Sequence, residues 1–415
     1  MATSSIVKIC FFSFTIAQFV SIFGDRLHQF SVVGMIGRVA PGSSIELFQF
    51  ALFGHLPILV FAPFFGSLID RANRAVVLVS VDALRGFIVL LIPLLYQLMG
   101  NMYAFYLPVF LLSLANLLFA PAKSAAIPEY FGSLKLLQIN AALWGLGIVG
   151  TIGGFLLGGW FFDFMTWQLS FYCDGVSYLV STLFLVPLFF LSSASIKKAA
   201  RERPTATGER KQRFGAGALV RSIRDGIELI RTNRQVAYCL IAQASLFGIL
   251  GILYIVGIGR VQEVLPPGKT IYLSAVATAG TVGLLAGSAL ATTTQGKISH
   301  NRVVAHSVIL IAVALLALSR SQTLIPIMSW TFMLGVGVSP VTIVTETLLQ
   351  MNIPESFRGR VFSAREVLTK SAFLVAALLA TLLTIVLHKA LIIFFIGVFL
   401  AVTGLLFERK DYLRV

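Results

Sequence analysis

Roughly twelve apolar runs of about 20 residues each leave this chain one class of fold. A run of that length crosses a hydrocarbon core of about 30 Å as a helix, and inside the core every backbone N–H and C=O needs a partner within the chain. The runs begin near Val7, Leu47, Val76, Tyr103, Ala141 and Phe171, and again near Val236, Tyr272, Val303, Leu324, Val361 and Leu391. A closed barrel would need alternation at period two, which segments such as Phe171 to Leu191 lack. Only 12% of residues are charged, about half the share in soluble chains, so lipid is the expected solvent. The fold class is therefore read as an all-α membrane protein with twelve transmembrane helices.

The runs fall into six plus six. Ile127-Pro128-Glu129-Tyr130-Phe131 returns as Ile353-Pro354-Glu355-Ser356-Phe357, 226 residues later and in the same orientation. Parallel repeats of this kind relate two halves by an axis along the membrane normal. The expected division is a first six-helix lobe over 1–191, a cytoplasmic linker over 192–235, and a second lobe over 236–415. Within the linker, Leu219, Ile223, Ile227 and Ile230 form an apolar stripe at helical spacing. A basic helix lying on the membrane surface fits this pattern, with a calmodulin-like partner as the alternative.

A net charge of +15 would suggest nucleic acid in a soluble protein, but here topology accounts for most of it. With both termini cytoplasmic, 24 of the 32 Lys and Arg residues face inward, as the positive-inside rule requires. No nucleic-acid partner is expected. Cys10, Cys173 and Cys239 lie far apart, in or at the edges of the runs, and form no metal-ligand spacing, so they read as structural. The first run has a single early positive charge, Lys8, and no small-residue cleavage pattern, so it reads as an uncleaved helix.

Gly66-Ser67-Leu68-Ile69-Asp70-Arg71-Ala72-Asn73-Arg74 stands between the second and third runs. It resembles the G-x-x-x-D-R-x-G-R signature of the major facilitator superfamily, with Asn73 in place of the usual Gly; Asn also tolerates a left-handed turn. The resemblance covers the whole chain and implies a transporter fold of two pseudo-symmetric six-helix lobes. It also implies a conformational gate of Gly66, Asp70, Arg71 and Arg74, with Asp70 near Arg358, Arg360 and Arg365 at the start of the eleventh helix. The alternative is a turn that only anchors the membrane surface. Phe119-Ala120-Pro121-Ala122-Lys123 through Glu129, and Leu348-Leu349-Gln350 through Val361, are similar to helix connections in one exporter branch. That branch contains enterobactin-type siderophore exporters, macrolide efflux proteins and lysophospholipid transporters. In both connections the Pro is expected to end a helix and begin a stiff turn.

Gly145-Leu146-Gly147-Ile148-Val149-Gly150 spells a dinucleotide fingerprint without the strand or acidic residue that such a site needs. With Gly154 and Gly158 it reads as a close helix-packing face. No cofactor and no metal site is expected, and no catalytic set survives its context, so the chain is not read as an enzyme.

Charged side chains at mid-bilayer cost about 2.5–3.5 kcal/mol each, which makes them the functional candidates. Gln18, Ser21, Asp25 and His28 share one face of the first helix, with Arg26 on an adjacent one. Asp25 is a candidate proton carrier; the alternative is a fixed interaction with Arg26 or His28. Asp82 and Arg85 are three apart and read as an internal pair. Glu346 lies midway along the tenth run, with Gln350 one turn on and no basic residue at helical spacing, and is expected to line the pathway. Glu366 and Lys370, four apart, read as a pair near the cytoplasmic end. His55 and Asp174 read as structural.

The resulting expectation is an alternating-access exporter of an amphiphilic, drug- or siderophore-like molecule, with proton exchange as its candidate driving force. Lysophospholipid flipping is the alternative, and a non-transporting receptor a remote one. A monomer surrounded by lipid in the cytoplasmic (inner) membrane is expected. Alkaline phosphatase fused after Val415 should be inactive, whereas phosphatase inserted after Gly42 should be active. The reverse pattern would overturn the cytoplasmic placement of both termini.

Overall fold

A computed structural model of the protein describes residues 2–69, 73–131, 136–191, 233–266, 269–294, 299–353 and 355–409. The expectations for Asp70, Arg71 and the linker helix lie outside these residues. Gly66, Arg358 and Arg360 fall on helical backbone whose side chains are also outside the description.

Twelve helices fill the described segments. They are α1 (Ala2–Val39), α2 (Ser44–Ile69), α3 (Arg74–Met99), α4 (Tyr103–Phe131), α5 (Leu136–Phe164), α6 (Trp167–Leu185), α7 (Arg234–Val264), α8 (Thr270–Thr294), α9 (His300–Arg320), α10 (Leu324–Asn352), α11 (Glu355–Val386) and α12 (Lys389–Arg409). Each is long and apolar enough to cross a membrane, as the twelve runs imply. No strand occurs among the described residues.

Two local expectations are corrected. Asn73 does not adopt a left-handed turn: its φ is −70°, and its side chain caps α3 by accepting from the amides of Ala75 and Val76. An Asn there supplies an acceptor that the Gly of the signature lacks. Pro128 does not end a helix either, because α4 runs through Pro121 and Pro128 to Phe131. Pro128 lies so close to the helix end that the disruption is confined to the last turns. In the second copy α10 stops at Asn352 and α11 starts at Glu355, with Pro354 outside the described residues.

The chain forms two compact units, Met1–Val32 with Phe53–Ala218, and Val33–Leu52 with Leu219–Val415. The α1–α2 connection thus groups with the second unit, a feature that a division by chain order does not contain. There Gln262 on α7 donates to the carbonyl of Val33 (3.2 Å) and accepts from the amide of Gly42 (3.2 Å).

In the first unit α3 packs on α4 and α6, and α1 lies on α5. In the second, α9 packs on α10 and α12, and α7 lies on α11. These are the pairings expected if α7–α12 repeat α1–α6. Apolar clusters form the core of each unit: Cys10, Phe14, Leu78, Phe119, Phe131 and Leu185 in the first, and Cys239, Leu240, Val304, Leu348 and Val361 in the second.

The α1–α5 and α7–α11 contacts both depend on glycine, which lets backbones meet where lipid gives helices no hydrophobic reason to associate. A Cβ on Gly154 of α5 would lie 2.5 Å from the Phe23 carbonyl oxygen and 2.6 Å from Arg26 Cβ. A Cβ on Gly251 of α7 would overlap the Phe373 carbonyl of α11. Gly154→Val and Gly251→Val should each lower thermal stability in detergent, at the upper end of the ~1–3 kcal/mol typical of overpacking. Gly145→Ala, where a Cβ meets nothing within 4 Å, should be neutral or slightly stabilising. Equal losses at Gly145 and Gly154 would show that these close contacts do not hold the helices.

Candidate functional site

The polar stripe of α1 meets α6. Gln18, Ser21 and His28 are buried, and Asp25 is half-buried. Tyr178 of α6 donates a hydrogen bond to Asp25 Oδ1, and His28 Nδ1 is paired with Asp174 Oδ2. Ser177 donates to the carbonyl of Asp174 (2.8 Å) and reaches its Oδ1 (3.3 Å). Neither partner weighed for Asp25 is its hydrogen-bond donor. Arg26 instead donates to Gln29 (2.7 Å) and lies over Phe155. Gln18 Nε2 is buried without a hydrogen-bond partner among the described residues.

The network continues onto α3 and α4. Asp82 accepts from Arg85 (3.1 Å), as the spacing predicts, and from Ser181 of α6 (2.6 Å). Arg85 also donates to Asn116 of α4 (2.5 Å) and stacks 4.2 Å from the centre of the Phe119 ring. Both Asp82 and Arg85 are fully buried, with side-chain exposures of 0% and 2%. A buried ion pair balances its desolvation cost only when its remaining polar atoms are also bonded; here α3, α4 and α6 bond all of them except Arg85 Nε, which is buried without a hydrogen-bond partner among the described residues. Lys123 of α4 is within electrostatic range of Asp25, Asp82 and Arg85.

The second unit places its charges differently. Gln243 of α7 donates to Thr345 (3.1 Å) and Glu346 (3.3 Å) of α10. Glu346 does have a basic partner, Arg365, which comes from α11 rather than from its own helix. Arg365 also bonds Glu366 (2.7 Å) and lies 5.1 Å from the Phe362 ring centre. The expected Glu366–Lys370 pair does not form among the described residues: Glu366 bonds Arg365, and Lys370 lies 5.8 Å from the Phe247 ring centre. Gln350 is exposed at the end of α10.

Of the gate residues with described side chains in the first unit, Arg74 forms an ion pair with Glu129 (3.1 Å). The loop signature and the repeated pentapeptide therefore meet at one contact, although both groups are about 30% exposed and the pair contributes little on its own.

Tyr178, Ser181 and Asn116 went unnoticed in the sequence, and Asp174 was read as merely structural. A signal existed: Asp174, Ser177, Tyr178 and Ser181 recur at helical spacing on an otherwise apolar segment. The fold brings Asp25, His28 and Asp174 together within the first unit; Glu346 and Gln350 belong to the second.

Comparison with known proteins gives this architecture its family. The sequence profile of the Major Facilitator Superfamily matches residues 9–318. A protein named as a candidate bacilysin exporter, BacE, of Bacillus subtilis and Bacillus amyloliquefaciens is 26% identical over 196 residues. That match covers 46% of this chain and 45% of the relative, so the chain spans less than half the length of the curated relatives it matches. Among solved structures, the nucleoside transporter NupG superposes with a TM-score of 0.69 at 11% identity, covering 97% of this chain and 100% of that one. An inward-facing bacterial homologue of the iron transporter ferroportin gives 0.70 at 16% identity, covering 97% and 99%. Such low identities establish the fold and nothing about cargo. The chain belongs to the Major Facilitator Superfamily, a family of multi-pass membrane transporters rather than enzymes.

Proposed function

We propose that the protein exports a small amphiphilic molecule by alternating access, with Asp25 as the proton carrier that couples export to a pH gradient. The observation that carries the proposal is the stretch of 196 residues similar to a candidate exporter, within a chain that matches the family profile over residues 9–318. The buried network adds a physical reason. Asp25 is the half-buried carboxylate of the first unit's inner cluster, and its donor is a phenol, which stays neutral whether or not the carboxylate carries a proton. Asp82 is held in place by Arg85 and Ser181. Glu346, held by Arg365, serves as a switchable ion pair of the second unit. Lysophospholipid movement between leaflets is the competing function, supported by the likeness of Pro121-Ala122-Lys123 and the Gln18–Asp25 segment to lysophospholipid transporters.

Vesicles containing the purified protein should extrude ethidium under an imposed pH gradient, several-fold faster than empty vesicles, and move fluorescent lysophospholipid at the background rate. Lysophospholipid movement that is independent of the gradient would replace the exporter assignment with the flippase. Asp25→Asn should abolish the gradient-driven component, by about tenfold or more, while leaving downhill dye exchange in place. Unchanged gradient-driven export in Asp25→Asn would remove Asp25 as the carrier. Glu346→Gln should slow export in both conditions alike, because it alters the second unit's ion pair and not the proton site.

A further inference from the structure

We propose that Asp25 and His28 of α1 and Asp174 of α6 form a binding site for one divalent first-row metal ion of the Mn2+, Fe2+, Co2+ or Zn2+ class. One donor atom from each of the three residues lies within 4.8 Å of the other two. Three ligands around a single ion at about 2.0–2.2 Å span about 4 Å, so small side-chain rotations close the set. An imidazole with two carboxylates suits these metals, whereas Mg2+ and Ca2+ favour oxygen alone.

Charge and unused hydroxyls support the assignment independently. The Asp25 and Asp174 carboxylates lie together in a lobe where Arg85 is held by Asp82 and Asn116, and Arg26 by Gln29 and the Phe155 ring; His28 already bonds Asp174, and a bound metal would take the place of that contact. A dication would neutralise Asp25 and Asp174 together. One turn along the same helix faces, Ser31 follows His28 by three residues and Ser170 precedes Asp174 by four. Both serines are fully buried, and neither hydroxyl has a hydrogen-bond partner among the described residues. Other helical hydroxyls of this unit have partners, either on the preceding turn, as Thr182 does on the Tyr178 carbonyl (2.8 Å), or on a neighbouring helix, as Ser181 does on Asp82 (2.6 Å). Each of these hydroxyls lies one turn from a proposed ligand, Ser31 from His28 and Ser170 from Asp174, where it could bond a metal-bound water. Tyr178 and Ser177 already hold the two carboxylates in place, as the outer partners of metal ligands do.

The site shares Asp25 with the proposed proton carrier, but equilibrium metal binding is measured without gradient or dye, so either assignment can fail alone. Tag-free protein in detergent is titrated with Co2+, followed by visible absorption, and loaded with Mn2+ for pulsed EPR. Expected are one saturable Co2+ per chain and a nitrogen coupling on Mn2+ from one imidazole. His28→Gln and Asp25→Asn should each weaken Co2+ binding about tenfold or more, while His300→Gln and His388→Gln should not. Wild-type protein that shows no saturable binding up to about 1 mM Co2+, or no imidazole coupling, overturns the site even if the variants prove unstable. Equal affinity in His28→Gln, Asp25→Asn and wild type overturns it as well.

Discussion

Asp82 and Arg85 form a buried ion pair, and the helices of the first unit supply partners to Asp82 and to both terminal nitrogens of Arg85, while Arg85 Nε has none among the described residues. A carboxylate or guanidinium left alone in that setting would cost several kcal/mol, more than a membrane helix recovers from any one packing contact. Ser181 of α6 bonds Asp82 and Asn116 of α4 bonds Arg85, while Phe119 and Tyr178 flank the guanidinium. Bonding this pair thereby sets α3, α4 and α6 against each other. Tyr178 carries the arrangement to α1 through Asp25, and Asp174 carries it there again through His28. The polar interior is a bracing element as well as a chemical one.

The second unit shares the helix pairings but not this interior. Its charged group joins α7, α10 and α11, the counterparts of α1, α4 and α5, whereas the first unit's group joins α1, α3, α4 and α6. Along the 226-residue offset, Asp82 and Arg85 correspond to Val308 and Ile311. The apolar scaffold is duplicated; the chemistry is not. Such asymmetry suits the proposed carrier, with its proton and metal sites in the first unit and a breakable ion pair in the second.

The sequence made the twelve spans, their pairing into repeats and the Asp82–Arg85 pair readable, because each rests on local spacing and hydropathy. It concealed what depends on distant contacts. Asp174 is 146 residues from His28, and nothing around either residue names the other. Glu346 looked unpartnered because helical spacing reports only its own helix, while Arg365 arrives from α11. The Pro128 expectation fails for another reason: α4 passes through Pro108, Pro121 and Pro128 alike, since a membrane helix tolerates a missing amide donor where its surroundings satisfy the freed carbonyl. Asn73, which tolerates a left-handed turn, instead caps α3 from an extended conformation.

The glycines of the α1–α5 and α7–α11 contacts hold a record of descent. In the first unit the small residue belongs to the fifth helix; in the second, Gly251 belongs to the first helix of its repeat. Two helices that must touch need only one of them to give way, so the two copies have drifted to opposite solutions of the same steric problem. Each half is now fitted to its own partner. A helix transplanted between equivalent places would bring two bulky surfaces together, or two small ones.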